Sequence, residues 1–251
     1  MRGVWALAPV LVMAAACGEG TTDDGASSET TLTVLAASSL TETFTELEKD
    51  FEADHDGVDV RISFDSSSTL AQQAIEGAPA DVLATADEAT MAMATEGGTA
   101  TDSQLFATNT MVMVVPASNP SRIERFADLD DDSVDYVACE ESAPCGALAK
   151  TLLDVNDISA QPVSFEVDVK AVLTKVELDE ADAGLVYQSD AVASGDMVKT
   201  LEIPKADAEI NNYPIATLRQ RESPALARQW VDLVLSEEGQ DVLDAAGFGA
   251  P

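Results

Sequence analysis

Basic residues are scarce: the chain has 13 Lys and Arg against 46 Asp and Glu, a formal net charge of −33. Nucleic-acid binding runs on Lys and Arg neutralising phosphates, so that class is excluded. An anionic membrane surface is excluded on the same ground. The acidic excess fits either a solvated surface, as in proteins working in high salt, or a platform for cations. Histidine is represented by His55 alone. A serine hydrolase needs a base, usually His, beside its nucleophile, and no Gly-x-Ser-x-Gly elbow is present, which sets enzymes aside. His55 also lies far along the chain from the cysteines, so a Cys/His metal site is not expected. The acidic run Asp128, Asp130, Asp131, Asp132 and Asp135 lacks the glycine of a calcium loop and reads as a solvated loop. Long apolar runs are missing too. Val4 to Ala16 is too short to span a bilayer comfortably, and Pro9 interrupts it. What is present in quantity is core material: 46% of the 251 residues are hydrophobic, enough for one large domain or two lobes.

The ends come first. Arg2, the short apolar stretch and the small residues Ala14, Ala15 and Ala16 before Cys17 describe a secretory signal, residues 1–17. The run into Cys17 resembles a bacterial lipoprotein cleavage box, with Ala14 where that box usually carries Leu or Val. The expectation is a lipidated Cys17 as the new N-terminus, anchored stably by several acyl chains; plain secretion is the alternative. Residues 18–30 are rich in Gly, Thr, Ser and acids without apolar periodicity, and read as a flexible tether.

From Leu32 short β-rich runs alternate with helical stretches. Leu32–Ala36, Val58–Phe64, Asp81–Ala86, Met111–Val115, Asp135–Ala138, Ser164–Val167, Gly184–Tyr187 and Val198–Ile203 read as strands, with Met111–Val115 central. Leu40, Phe44, Leu47 and Phe51 fall on one helical face. Thr69–Glu76, Gly146–Leu153 and Val169–Leu178 read as further helices, and Pro224–Ala246 keeps helical spacing up to a stop at Gly247. The pattern predicts an α/β fold with mainly parallel sheets, whose ligands sit beyond the carboxyl ends of strands.

Two such ends carry serines before a helix: Ala36-Ala37-Ser38-Ser39-Leu40 and Asp65-Ser66-Ser67-Ser68-Thr69-Leu70. Serine is a good helix N-cap and needs no ligand for that role. Two such starts also fit an uncharged oxyanion cradle, because helix N-termini offer unpaired N–H groups and hydroxyls add donors. The residue types leave both readings open.

These loops resemble those of the periplasmic molybdate-binding proteins of ABC transporters. The likeness continues through Gly77-Ala78-Pro79-Ala80-Asp81-Val82, Gly184-Leu185-Val186-Tyr187-Gln188-Ser189-Asp190-Ala191, Tyr213-Pro214-Ile215-Ala216 and Gly247-Phe248, in the same order from Leu32 to Phe248. It implies a two-lobed, type II binding-protein fold with the ligand cleft between lobes. Lobe one is expected from residues 31–112 plus 211–251, and lobe two from 113–210. Carried over position by position, it implies hydroxyl and backbone donors from Ser39 and Ser67. It implies backbone N–H groups from Cys145, where the family typically has Ala, and from Val169, and the phenol of Tyr187. Such a set suits a tetrahedral dianion, which is all acceptor. Asp65 beside the serine run is expected to face solvent, since turned inward it repels the ligand.

The implied ligand is molybdate, with tungstate of nearly the same size. No cofactor and no direct cation site are implied. The implied partners are the permease and ATPase of an importer, for a monomer held outside the cytoplasm, periplasmic or at the cell surface, by its lipid alone. There, Cys139 and Cys145 can close a small disulfide loop; two free thiols are the alternative. A binder of another oxyanion such as sulfate, or an oxyanion sensor without transport, are the rival functions.

Overall fold

Phe44, Leu47 and Phe51 are spaced to share one helical face, and all three are buried. They lie on α1 (Thr41–Asp54). That face meets Trp230, whose ring is edge-on to Phe44 at 5.6 Å and to Phe51 at 5.5 Å. Removing such a buried aromatic typically costs about 3–5 kcal/mol, so this contact fixes the C-terminal helices onto the first. The structure is a computed structural model and describes residues 30–251. The expected leader, Cys17 and the tether up to residue 29 lie outside the described residues.

The strands before the midpoint are β1 (Thr30–Ala37), β2 (Val58–Asp65), β3 (Val82–Ala84), β4 (Ala100–Asn109) and β5 (Met111–Pro116), with α2 (Ser67–Ile75) and α3 (Glu88–Glu96) between them. Then come β6 (Tyr136–Cys139), α4 (Pro144–Val155), β7 (Ser164–Glu166), α5 (Val169–Glu177), β8 (Ala183–Tyr187), α6 (Gln188–Ser194) and β9 (Val198–Leu201). The chain closes with β10 (Asn211–Leu218), α7 (Pro224–Leu235) and α8 (Glu237–Ala245). Two five-stranded sheets result, in the orders β2-β1-β3-β10-β4 and β7-β6-β8-β5-β9. The polypeptide leaves the first sheet between Asn109 and Met111 and returns to it with β10.

The sheets are mixed rather than mainly parallel. β1 pairs in parallel with β2 and β3, but β10 runs antiparallel to both β3 and β4. In the second sheet β6 is parallel to β7 and β8, while β5 is antiparallel to β8 and β9. The strands that pass between the sheets, β4, β5 and β10, account for the antiparallel pairs. β5 is an inner strand with every residue buried, as its continuous apolar run predicts. α6 and three further elements escape sequence periodicity. β4 exposes Ser103, Gln104 and Leu105 in succession, which breaks alternation. In α3 the buried face is Thr90, Met91 and Ala94 while Met93 is exposed, so its apolar residues do not mark that face in the sequence. β10 is apolar but interrupted by Pro214, and its pairing with β4 has register shifts there. The C-terminal helical stretch is broken at Ser236, whose hydroxyl accepts from Gly239 N–H and caps α8. Gly247, at φ +88°, ends α8 in the left-handed conformation a helix stop favours.

The acidic run is solvated, with Asp130, Asp131, Asp132 and Asp135 exposed, but it is also ordered. Phe126–Asp130 forms a short 3-10 turn with Phe126 and Leu129 buried. Asp130 accepts from the Ser159 and Ala160 N–H groups at 2.8 and 2.9 Å, and those bonds lower its carboxyl pKa. His55 ends α1, its ring stacked on Phe51 at 4.1 Å, at the opposite end of that helix from Ser39.

Candidate functional site

Both three-stranded parallel halves end in helix starts, and these starts face one another. Ser38–Leu40 forms a 3-10 turn after β1, and α2 begins at Ser67 after β2. From the other sheet, α4 begins at Pro144 and α5 at Val169. Tyr187 ends β8 and precedes α6. Ser39, Ser67, Cys145, Val169 and Tyr187 all line one small pocket. All five are buried. The structure thus brings together every residue that the sequence singled out for this site.

The donors are those that helix starts leave over. An α-helix cannot satisfy its first N–H groups internally, and its dipole makes that end positive. Ser66, the N-cap of α2, and Ala143, the N-cap of α4, make no side-chain capping bond. Asp168 caps α5 but bonds only the Ala171 N–H, at 3.0 Å, so Val169 has no intrahelical acceptor. Gly146 lets α4 come this close to β6. A Cβ there would lie 1.9 Å from the Glu140 carbonyl oxygen and 2.7 Å from that of Cys139. The sulfurs of Cys139 and Cys145 are bonded, tying the end of β6 to the first turn of α4.

The hydroxyls are fixed by neighbours behind the pocket. Ser39 Oγ lies 2.9 Å from the Tyr213 hydroxyl. Ala86 N–H donates to Ser67 Oγ at 2.9 Å, and Asn211 Nδ2 donates to the Tyr187 hydroxyl at 2.8 Å. Burial raises the pKa of Tyr187 and of Tyr213 well above the usual phenol range, so both stay protonated.

Asp65 departs from its expected place. It is half-buried and lines the pocket, with Oδ1 accepting from the Ser66 N–H at 2.6 Å. That local bond turns the carboxylate back onto its own backbone instead of out to solvent.

Lys170 is the nearest cation, and it is held by carboxylates. Its ammonium contacts Glu42 on α1 at 2.7 Å and the wholly buried Asp190 at 3.1 Å. Burial pushes the Asp190 carboxyl up to about 6, partly offset by Lys170. Glu42 and Lys170 lie on the helices following β1 and β7, so the ion pair bridges the two halves. The Ser68 hydroxyl does likewise by donating to the Ser142 carbonyl. Ser66, Asn109, Ser189, Asn211 and Glu42 were not singled out as site residues. Ser66 and Ser189 fell within motifs the resemblance already used, and the others carry no local signal.

Among the described residues no group of His, Cys, Asp and Glu could hold a metal ion, and no helix is long and apolar enough to cross a membrane.

Comparison with known proteins places this architecture. The molybdate-binding protein ModA of Mycobacterium tuberculosis is 43% identical over 221 residues, covering 88% of this chain and 85% of its own. The periplasmic molybdate-binding protein of Azotobacter vinelandii superposes with a TM-score of 0.75 at 19% identity, over 88% of this chain and 99% of that one. The sulfate-binding protein SubI of M. tuberculosis gives 0.76 at 18% identity, over 87% and 86%. At such identities these two structures speak for the fold alone. The family of bacterial extracellular solute-binding proteins matches residues 32–249. With that match spanning nearly all the described residues, the chain belongs to the bacterial extracellular solute-binding protein family, as an extracytoplasmic binder and not an enzyme.

Proposed function

We propose that this protein captures molybdate, and with it tungstate, between its two lobes and presents it to the permease and ATPase of an ABC importer. The observation that carries this reading is the convergence of Ser39, Ser67, Cys145, Val169 and Tyr187 on one pocket. The 43% identity to a molybdate-binding protein supports the choice of anion. The pocket meets a tetrahedral dianion with hydroxyl and backbone donors and with no free cation, which suits a ligand that must later be released.

Residues 30–109 with 211–251, and 111–210, act as the two lobes: Met111 and Val112 already pair with β8, so the crossing at Thr110 precedes the expected 112/113 boundary. Donors from both are satisfied together only on closure, so the ligand stabilises the closed form by its differential affinity. The protein works as a monomer, anchored through an acylated Cys17. A Cys17→Ser change should release it from the membrane fraction into the medium or periplasm.

Sulfate, another tetrahedral dianion, is the second reading, because the same hydroxyl and backbone donors would serve it. Cavity size separates them, since sulfate is smaller while tungstate matches molybdate. Thermal melts with each anion test the proposal. A ligand bound only by the folded state adds about 2.7 kcal/mol at about 100 times its Kd. Molybdate and tungstate should raise the Tm at low concentration and sulfate should not; a shift with sulfate alone moves the specificity.

A further inference from the structure

The hydroxyls of Ser39, Ser67 and Tyr187 each meet a hydrogen-bonding partner behind the cleft. Ala86 N–H can only donate, so Ser67 Oγ accepts from it. Asn211 Nδ2 lies 2.8 Å from the Tyr187 hydroxyl and 3.4 Å from the Pro144 carbonyl oxygen. A carbonyl only accepts, so the amide nitrogen, not its oxygen, must occupy that position, and Tyr187 accepts from it. Behind Ser39 the chain of bonds is longer. Asn109 Nδ2 donates to Ser189 Oγ at 2.8 Å and to the Tyr213 hydroxyl at 3.4 Å. Tyr213 and Ser39 Oγ lie 2.9 Å apart, a pair in which either hydroxyl could donate, and receiving from Asn109 leaves the Tyr213 proton for Ser39.

A hydroxyl carries one proton. When its oxygen accepts from behind, that proton is left for the open side, and for Ser39, Ser67 and Tyr187 the open side is the pocket all three line. We infer that Asn211, Tyr213 and Asn109 set the polarity of the cleft hydroxyls, and so select against oxyanions that carry a proton. None of these three residues lines the pocket. Tyr213 and Asn109 are fully buried, so the orientation is in place before a ligand arrives. The two carboxylates at the pocket do not supply a ready acceptor through Oδ1: that atom bonds the Ser66 N–H in Asp65 and the Ala171 N–H in Asp168. A bare tetrahedral dianion finds a proton at each of these three hydroxyls. A hydrogenphosphate or hydrogenarsenate brings a hydroxyl of its own, which finds donors at Ser39, Ser67 and Tyr187 where it needs an acceptor.

The inference rests on the oxyanion reading of the cleft, and the experiment separates the two. Molybdate and hydrogenarsenate affinities are measured by titration for the wild type, Asn211→Asp and Tyr213→Phe, in mildly alkaline buffer where both anions carry two charges. In Asn211→Asp the new carboxylate takes the Tyr187 proton and turns a lone pair to the cleft. Molybdate binding should weaken about 10- to 100-fold, the range for a lost bond to a charged group, while hydrogenarsenate weakens far less. The ratio of the two affinities therefore narrows at least about tenfold. Added charge near the site weakens both dianions alike and cancels in that ratio. Tyr213→Phe, which keeps the ring, should narrow the ratio in the same direction and serves if Asn211→Asp does not fold. Equal losses for both anions, with the ratio unchanged in either folded variant, overturn the inference alone. A wild type that binds neither molybdate nor any other oxyanion overturns the function and this inference together.

Discussion

Tyr187, Tyr213 and Asp190 show how far single residues are governed by partners distant in sequence. Ser39 and Tyr213 are 174 positions apart yet share a hydrogen bond. Ser39, Ser67 and Tyr187 were legible in ordered motifs at strand ends, whereas Cys145 and Val169 were legible only through the family resemblance, since backbone donors leave little side-chain trace. Asn109 and Asn211 were not, because an asparagine in a strand looks alike whether it faces solvent or a buried phenol. Asp65 misled for a similar reason: a carboxylate beside an anion cradle suggests an outward rotamer, and its bond to Ser66 N–H overrides that.

Asp190 gives a pH prediction at this scale. Its folded-state pKa is raised from 3.8 to about 6, chiefly by burial. A raised acid binds its proton more tightly when folded. Its stabilising contribution is therefore full below its unfolded pKa and lost as pH rises through about 6. Denaturant melts of the wild type should fall in stability relative to Asp190→Asn between about pH 4 and 6, and parallel curves would contradict the assignment.

Elements position the site more than they build it. Four strand ends each deliver a helix or 3-10 start to the same pocket, and sequence periodicity found most of these elements. Their order in the sheets was less legible. A β-strand pattern reports which face is buried, not the direction of its neighbour, so the antiparallel pairs of β4, β5 and β10 were hidden. The break at Ser236 was hidden too, because α7 and α8 keep apolar residues at helical spacing across it.

Between elements, the Glu42–Lys170 ion pair joins α1 to α5 next to the pocket. Glu42 is half exposed, so the pair is weak by the standard of buried ones, about 0.2–1 kcal/mol. It exists only while the two halves are together, so it should act on release. Glu42→Gln is expected to raise the molybdate dissociation rate about two- to fivefold, with little change in the melting of the ligand-free protein. Stopped-flow release into a chelating competitor measures this. An unchanged rate would mean the pair contributes nothing to closure.

At the scale of the whole molecule, a net charge of −33 opposes the capture of an anion. The helix starts and hydroxyls act over a few ångströms, whereas the overall field reaches about 10 Å at 0.1 M salt. Salt should therefore weaken the repulsion before it weakens the site. The molybdate association rate is expected to rise with sodium chloride, and a rate that falls would show local attraction to dominate.

The central claim is that Ser39 and Ser67, with the backbone donors of the other half, make an oxyanion site. Isothermal titration of the wild type and of the Ser39→Ala/Ser67→Ala double variant with molybdate, tungstate, sulfate and phosphate tests it most directly. Tight one-to-one binding of molybdate and tungstate by the wild type, weak response to sulfate and phosphate, and loss of binding in the folded double variant are predicted. Binding that survives in the double variant, or a wild type that binds no oxyanion, would contradict the claim.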